Sequence, residues 1–140
     1  MELKGKKIHE LAVGEKASLS RKITEEDINN FAQATGDLNP LHLDEDYAKG
    51  TVFQGRIAHG MLVASLFSNL LAMQLPGAGT VYLSQTLNFK KPVRIDDTIT
   101  AEVEITAIDL EKGRVTLATR CRNQDDKVVL EGEAVVSPKR

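Results

Sequence analysis

The stretch from Met61 to Leu75 admits few folds: Met61, Leu62, Val63, Ala64, Leu66, Phe67, Leu70, Leu71, Ala72, Met73 and Leu75 leave almost no polar side around a helical circumference. A helix built this way must be surrounded. At 1.5 Å per residue, positions 60–75 reach about 24 Å. Ser65, Ser68, Asn69 and Gln74 interrupt the apolar run, which is shorter than a bilayer requires. Pro76-Gly77 stops it. The stretch is expected to be a central core helix, not a membrane span.

The C-terminal half of the chain can do the surrounding. Residues 81–89, 98–110, 114–122 and 128–136 alternate apolar with polar side chains, punctuated by Lys91-Pro92, Asp96-Asp97, Lys112-Gly113 and Asp125-Asp126. Strands joined this tightly pair antiparallel with their neighbours. Upstream, residues 17–23 read as one more strand. Thr24 then caps a helix over 25–35: Glu25, Glu26 and Asp27 suit the positive end of its dipole, Ile28, Phe31, Ala32 and Thr35 share a face, and Gly36 supplies a left-handed end. Residues 44–50 form a further helical turn closed by Gly50, and 51–58 a connecting loop. The economical architecture is α+β, a curved antiparallel sheet wrapped around one hydrophobic helix.

With 140 residues, 41% hydrophobic and 27% charged, the chain is expected to be a single domain over 1–140, without repeats or linkers. A net charge of −2 gives no general electrostatic reason to bind nucleic acid or an anionic membrane. The single Cys121 cannot form an internal disulfide, and the first residues lack the apolar run of a secretory signal. A cytoplasmic location is expected.

Acid–base chemistry is suggested by Gly36-Asp37-Leu38-Asn39-Pro40-Leu41-His42. In a continuous helix Asp37 and His42 would lie roughly 140° apart around the axis. Gly36 and Pro40 break the helix and let both side chains converge. Gly-Asp and Asn-Pro alone would be ordinary turn formers. A histidine among Leu38, Leu41 and Leu43 implies instead a partly buried turn in which the carboxylate and imidazole must satisfy each other, a water or a ligand. Such a water could be deprotonated by one group while the other orients it.

A second element is His59-Gly60-Met61 at the start of the apolar helix. Glycine there permits close approach of a ligand to free N–H groups, although tight packing against a strand would also require it. His59 reads as a packing or capping residue rather than a second base. The polar marks on the helix, Ser65, Ser68 and Asn69, either bond back to carbonyls or line a pocket. His9, His42, His59 and Cys121 are too dispersed for a close-spaced zinc pattern, so no metal is expected. Phosphate-cradling loops and nucleophile elbows are missing. Lys90, Lys91 and Arg94 form a small basic cluster that could meet phosphates at a pocket mouth.

Phe31, Thr35-Gly36-Asp37-Leu38-Asn39-Pro40-Leu41-His42 and Ala48 together resemble the signature of the hydratase 2, or MaoC-like, (R)-specific enoyl-CoA hydratases. The likeness continues through His59-Gly60-Met61-Leu62, Leu75-Pro76-Gly77 and Phe89-Lys90-Lys91-Pro92-Val93, nearly the whole chain, and is strongest to short bacterial hydratases that feed polyhydroxyalkanoate synthesis. It implies a hot-dog fold, a homodimer or higher homo-oligomer joined through sheet edges, and an acyl-CoA substrate with no separate cofactor. It further implies Asp37 and His42 as the dyad holding the water, Gly60 as backbone donor to the thioester oxygen, and Ser68, Leu71 and Val136 along the acyl pocket.

The expected activity is reversible hydration of trans-2-enoyl-CoA to (R)-3-hydroxyacyl-CoA. Two alternatives stand beside it. A hot-dog thioesterase would act on the same substrates, but such enzymes usually carry a carboxylate on or beside the central helix, and residues 60–75 contain none. A non-catalytic acyl-CoA-binding module would usually carry a DNA-reading domain, for which this length leaves no room.

Overall fold

The computed structural model describes residues 3–140. A short 3-10 turn, Ile8–Glu10, precedes strand β1 (Lys16–Lys22). Three helices follow, α1 (Glu25–Thr35), α2 (Pro40–Leu43) and α3 (Glu45–Lys49), and then the long α4 (Gly60–Met73). The remainder is sheet: β2 (Val81–Gln85), β3 (Asn88–Phe89), β4 (Thr98–Asp109), β5 (Arg114–Arg122) and β6 (Val128–Ser137). Strand order is β1-β4-β5-β6-β2, with β3 also on β6, and every pairing is antiparallel.

Alternation decides the core face. Along β5, Val115, Leu117, Thr119 and Cys121 are buried while the residues between them are half-buried or exposed. With Ile99, Ala101, Val103 and Ile105 of β4, Val115, Leu117 and Cys121 meet Phe67, Leu70 and Leu71 of α4 in one hydrophobic cluster. Burial pushes the Cys121 thiol up to about 12. No helix among the described residues is long and apolar enough to cross a membrane.

Helix α4 is not surrounded in the single chain. Met61, Ser65, Ser68 and Ala72 recur at helical spacing as an exposed stripe, with Asn69 and Met73 beside it. The edge strand β2 likewise leaves Val81, Tyr82 and Leu83 exposed. The strand expected over 81–89 is also broken. A bulge interrupts the register between Tyr82 and Ser84, and Thr86 crosses β6 where a Cβ on Gly132 would overlap its carbonyl oxygen.

Capping sets the helices that carry the site. The Thr24 hydroxyl accepts from Asp27 N–H at 3.1 Å, and the Asp27 carboxylate accepts from Thr24 N–H at 3.0 Å, a reciprocal box that starts α1. Gly36, at φ 76°, ends it. Pro40 then opens α2, where the residues alone suggest only a turn. Asn39 caps that helix through Leu41 N–H at 3.0 Å, and proline suits a first helical position, whose own N–H has no intrahelical acceptor.

Candidate active site

Asp37 lies in the turn between α1 and α2. The Thr35 hydroxyl accepts from Asp37 N–H at 3.1 Å, and Asp37 Oδ1 accepts from Asn39 N–H at 3.3 Å, the local bonding of an ordinary turn. This side of the turn is open: Asp37 is exposed and Leu38 is 63% exposed. The apolar interleaving therefore overstates its burial. Only the His42 end is enclosed, because α2 turns that ring inward.

Residues 56–59 hold His42 and Asp37 from three directions. Arg56 Nε donates to the His42 carbonyl at 2.7 Å while its guanidinium reaches Glu25 of α1 at 2.8 Å. The Ile57 carbonyl lies 2.8 Å from His42 Nδ1. A carbonyl only accepts, so Nδ1 carries a hydrogen, and Nε2 has no hydrogen-bond partner among the described residues. His59 Nε2 lies 3.1 Å from the Asp37 carbonyl and must donate to it by the same reasoning.

The His59 ring sits between two others. Its centroid is 3.9 Å from that of His42, at 32°, and 4.8 Å from that of Phe31, at 54°. Its Nδ1 is buried without a hydrogen-bond partner among the described residues. Burial lowers its pKa; the hydrogen bond to the Asp37 carbonyl opposes this, the His42 charge lowers it further, and the Asp37 charge raises it. The balance falls below the ordinary histidine value, which favours the neutral ring.

One donor atom from each of Asp37, His42 and His59 lies within 4.8 Å of the others. The breaks at Gly36 and Pro40 suggest that Asp37 and His42 can converge, but sequence spacing does not bring His59 to them. Two imidazoles and a carboxylate have the donor chemistry to hold a cation, but each ring already spends one nitrogen on a carbonyl.

Gly60 opens α4, and its N–H has no acceptor among the described residues. It borders a cleft of about 470 Å³ that also reaches His42, Phe53, Met61, Phe89 and Lys91. A Cβ built on Gly60 would fall 2.5 Å from Phe89 Cε1, so β3 packs against this glycine, as the simpler of its two explanations expects. Lys90 lines the same cleft and lies 3.6 Å from Glu131.

The other candidates lie elsewhere. Ser68 is on the exposed stripe of α4, Leu71 is 2% exposed in the core, and Val136 of β6 is fully buried; none borders the cleft. Arg56 and the Ile57 carbonyl escape sequence reasoning, having no motif of their own.

The family profile of the MaoC-like domain matches residues 10–126. The chain belongs to the MaoC-like family. Among MaoC-like relatives, the (R)-specific enoyl-CoA hydratase of Aeromonas caviae is 50% identical over 126 residues, covering 90% of this chain and 94% of that one. A protein of the same description from Rhodospirillum rubrum is 52% identical over 123 residues, 88% of this chain and 85% of its own. An unliganded R-hydratase from Pseudomonas aeruginosa superposes with a TM-score of 0.90 at 46% identity, covering 97% of this chain and 87% of that structure. This MaoC-like chain has the hot-dog fold of those hydratases.

Proposed function

We propose that the protein is an (R)-specific enoyl-CoA hydratase, adding water reversibly across the double bond of trans-2-enoyl-CoA to give (R)-3-hydroxyacyl-CoA. The observation that carries the reading is the meeting of Asp37 with His42, which borders a cleft that Gly60 also lines. These groups match the needs of the reaction. A water held by Asp37 and His42 gives its hydroxyl to C3, and a proton is delivered to C2. In between, the electron pair of the double bond moves onto the thioester oxygen as an enolate, which the Gly60 N–H stabilises.

Lys90 and Lys91 at the cleft suit the phosphates of the CoA carrier. Family likeness supports Ser68, Leu71 and Val136 as the acyl path. The open stripe of α4 and the exposed β2 edge support a homodimer that covers both. A product of this stereochemistry is suited to polyhydroxyalkanoate synthesis.

Hydration of crotonyl-CoA, followed as loss of enoyl absorbance with chiral analysis of the product, tests the proposal. Asp37→Asn should slow it by about 10²–10⁴-fold. Undiminished turnover in that variant would overturn the assignment, and release of free thiol by the native protein would favour a thioesterase.

A further inference from the structure

The segment that presents Asp37 is poorly anchored. Residues 37–39 are exposed, and their hydrogen bonds run to Thr35, Leu41 and His42 within the same short stretch. Among the described residues one hydrogen bond reaches them from outside it, from His59 Nε2 to the Asp37 carbonyl. The same imidazole stacks on His42. We propose that His59 is a positioning residue which, resting on the hydratase reading above, fixes Asp37 relative to His42 through its Nε2–H tether and ring contact.

A residue present for packing alone would not need this chemistry. Nδ1 is enclosed without a partner among the described residues, an arrangement that disfavours histidine against an apolar ring of similar size. The Asp37 carbonyl accepts this bond at a partly buried position, although Asp37 as a residue is exposed. What the bond adds beyond satisfying the carbonyl is geometry: it ties the exposed Asp37 segment, and with it the position of the carboxylate, to the buried His59 ring. Attack on C3 requires that position, and an error of about 1 Å costs on the order of 100-fold in rate.

His59→Phe keeps a ring against Phe31 and His42 but removes the tether, whereas His59→Gln keeps an N–H donor at similar reach and gives up the ring. In the crotonyl-CoA assay His59→Phe is expected to lose about 100-fold in kcat with KM within roughly threefold, and His59→Gln to recover to within about tenfold of the native protein. Packing alone predicts the opposite order. The inference is overturned if His59→Phe stays within about threefold of native kcat, or if His59→Gln is as impaired as His59→Phe while both melt cooperatively. Should His59→Phe not fold, the kcat of His59→Gln decides against the same tenfold limit. Asp37→Asn separates the two readings: if it is inactive while His59→Phe is normal, His59 alone loses its role, and if it is fully active the hydratase assignment falls first.

Discussion

At Gly60 a missing side chain serves two neighbours. Its N–H has no acceptor among the described residues at the first turn of α4, and the space a methyl would occupy is filled by Phe89. The Phe89 ring is 55% exposed at the end of a flexible side chain, so it can swing aside for a methyl group, but only by disturbing the cleft wall it forms. Gly60→Ala is therefore expected to cost little stability, under about 2 kcal/mol, and to slow crotonyl-CoA hydration. Removing the ring should relieve the strain: a double-mutant cycle with Phe89→Ala, read by chemical denaturation, should give a coupling of at least about 0.5 kcal/mol. Additive effects would mean that the ring had already moved away.

Among the elements, α1 and β5 show what local sequence can specify. The Thr24–Asp27 box and Gly36 bound α1 at the expected residues, and the strict alternation over 114–122 returns β5 unchanged. Their signals lie within the element itself. The break between β2 and β3 was not legible because it depends on Gly132, across the sheet. Nor was the His59 tether, which spans a sequence separation of 22. Asp37, His42 and Gly60 stand out as candidates because turn and cap chemistry marks them, whereas Arg56 acts through a carbonyl that any residue at position 42 would offer. Helix α4 combines both cases: its end near Pro76 is local, but its exposed stripe depends on what the rest of the chain leaves uncovered. Leu71 lies on its buried side, and Leu71→Ala should cost about 2–5 kcal/mol by denaturation. If the acyl path runs past it, the variant should also favour longer enoyl-CoA chains; an unchanged chain-length profile would remove Leu71 from that path.

At the scale of the whole molecule, one sheet curves over α4 and the candidate groups Asp37, His42 and Gly60 gather where the helix begins, all on the stretch between β1 and β2. The site can therefore vary while the core stays intact, as expected when chemistry sits on connecting segments supported by a rigid frame. The core also contains Cys121, fully enclosed on β5, with its thiol pushed up to about 12. A thiol reagent such as dithionitrobenzoate should leave the native protein untouched and titrate one equivalent after denaturation; immediate labelling would show that the sheet admits solvent. The chain thus carries its own clock: under native conditions only molecules whose framework has come apart can be tagged, and the pace of tagging counts those openings at a site the native sequence already supplies.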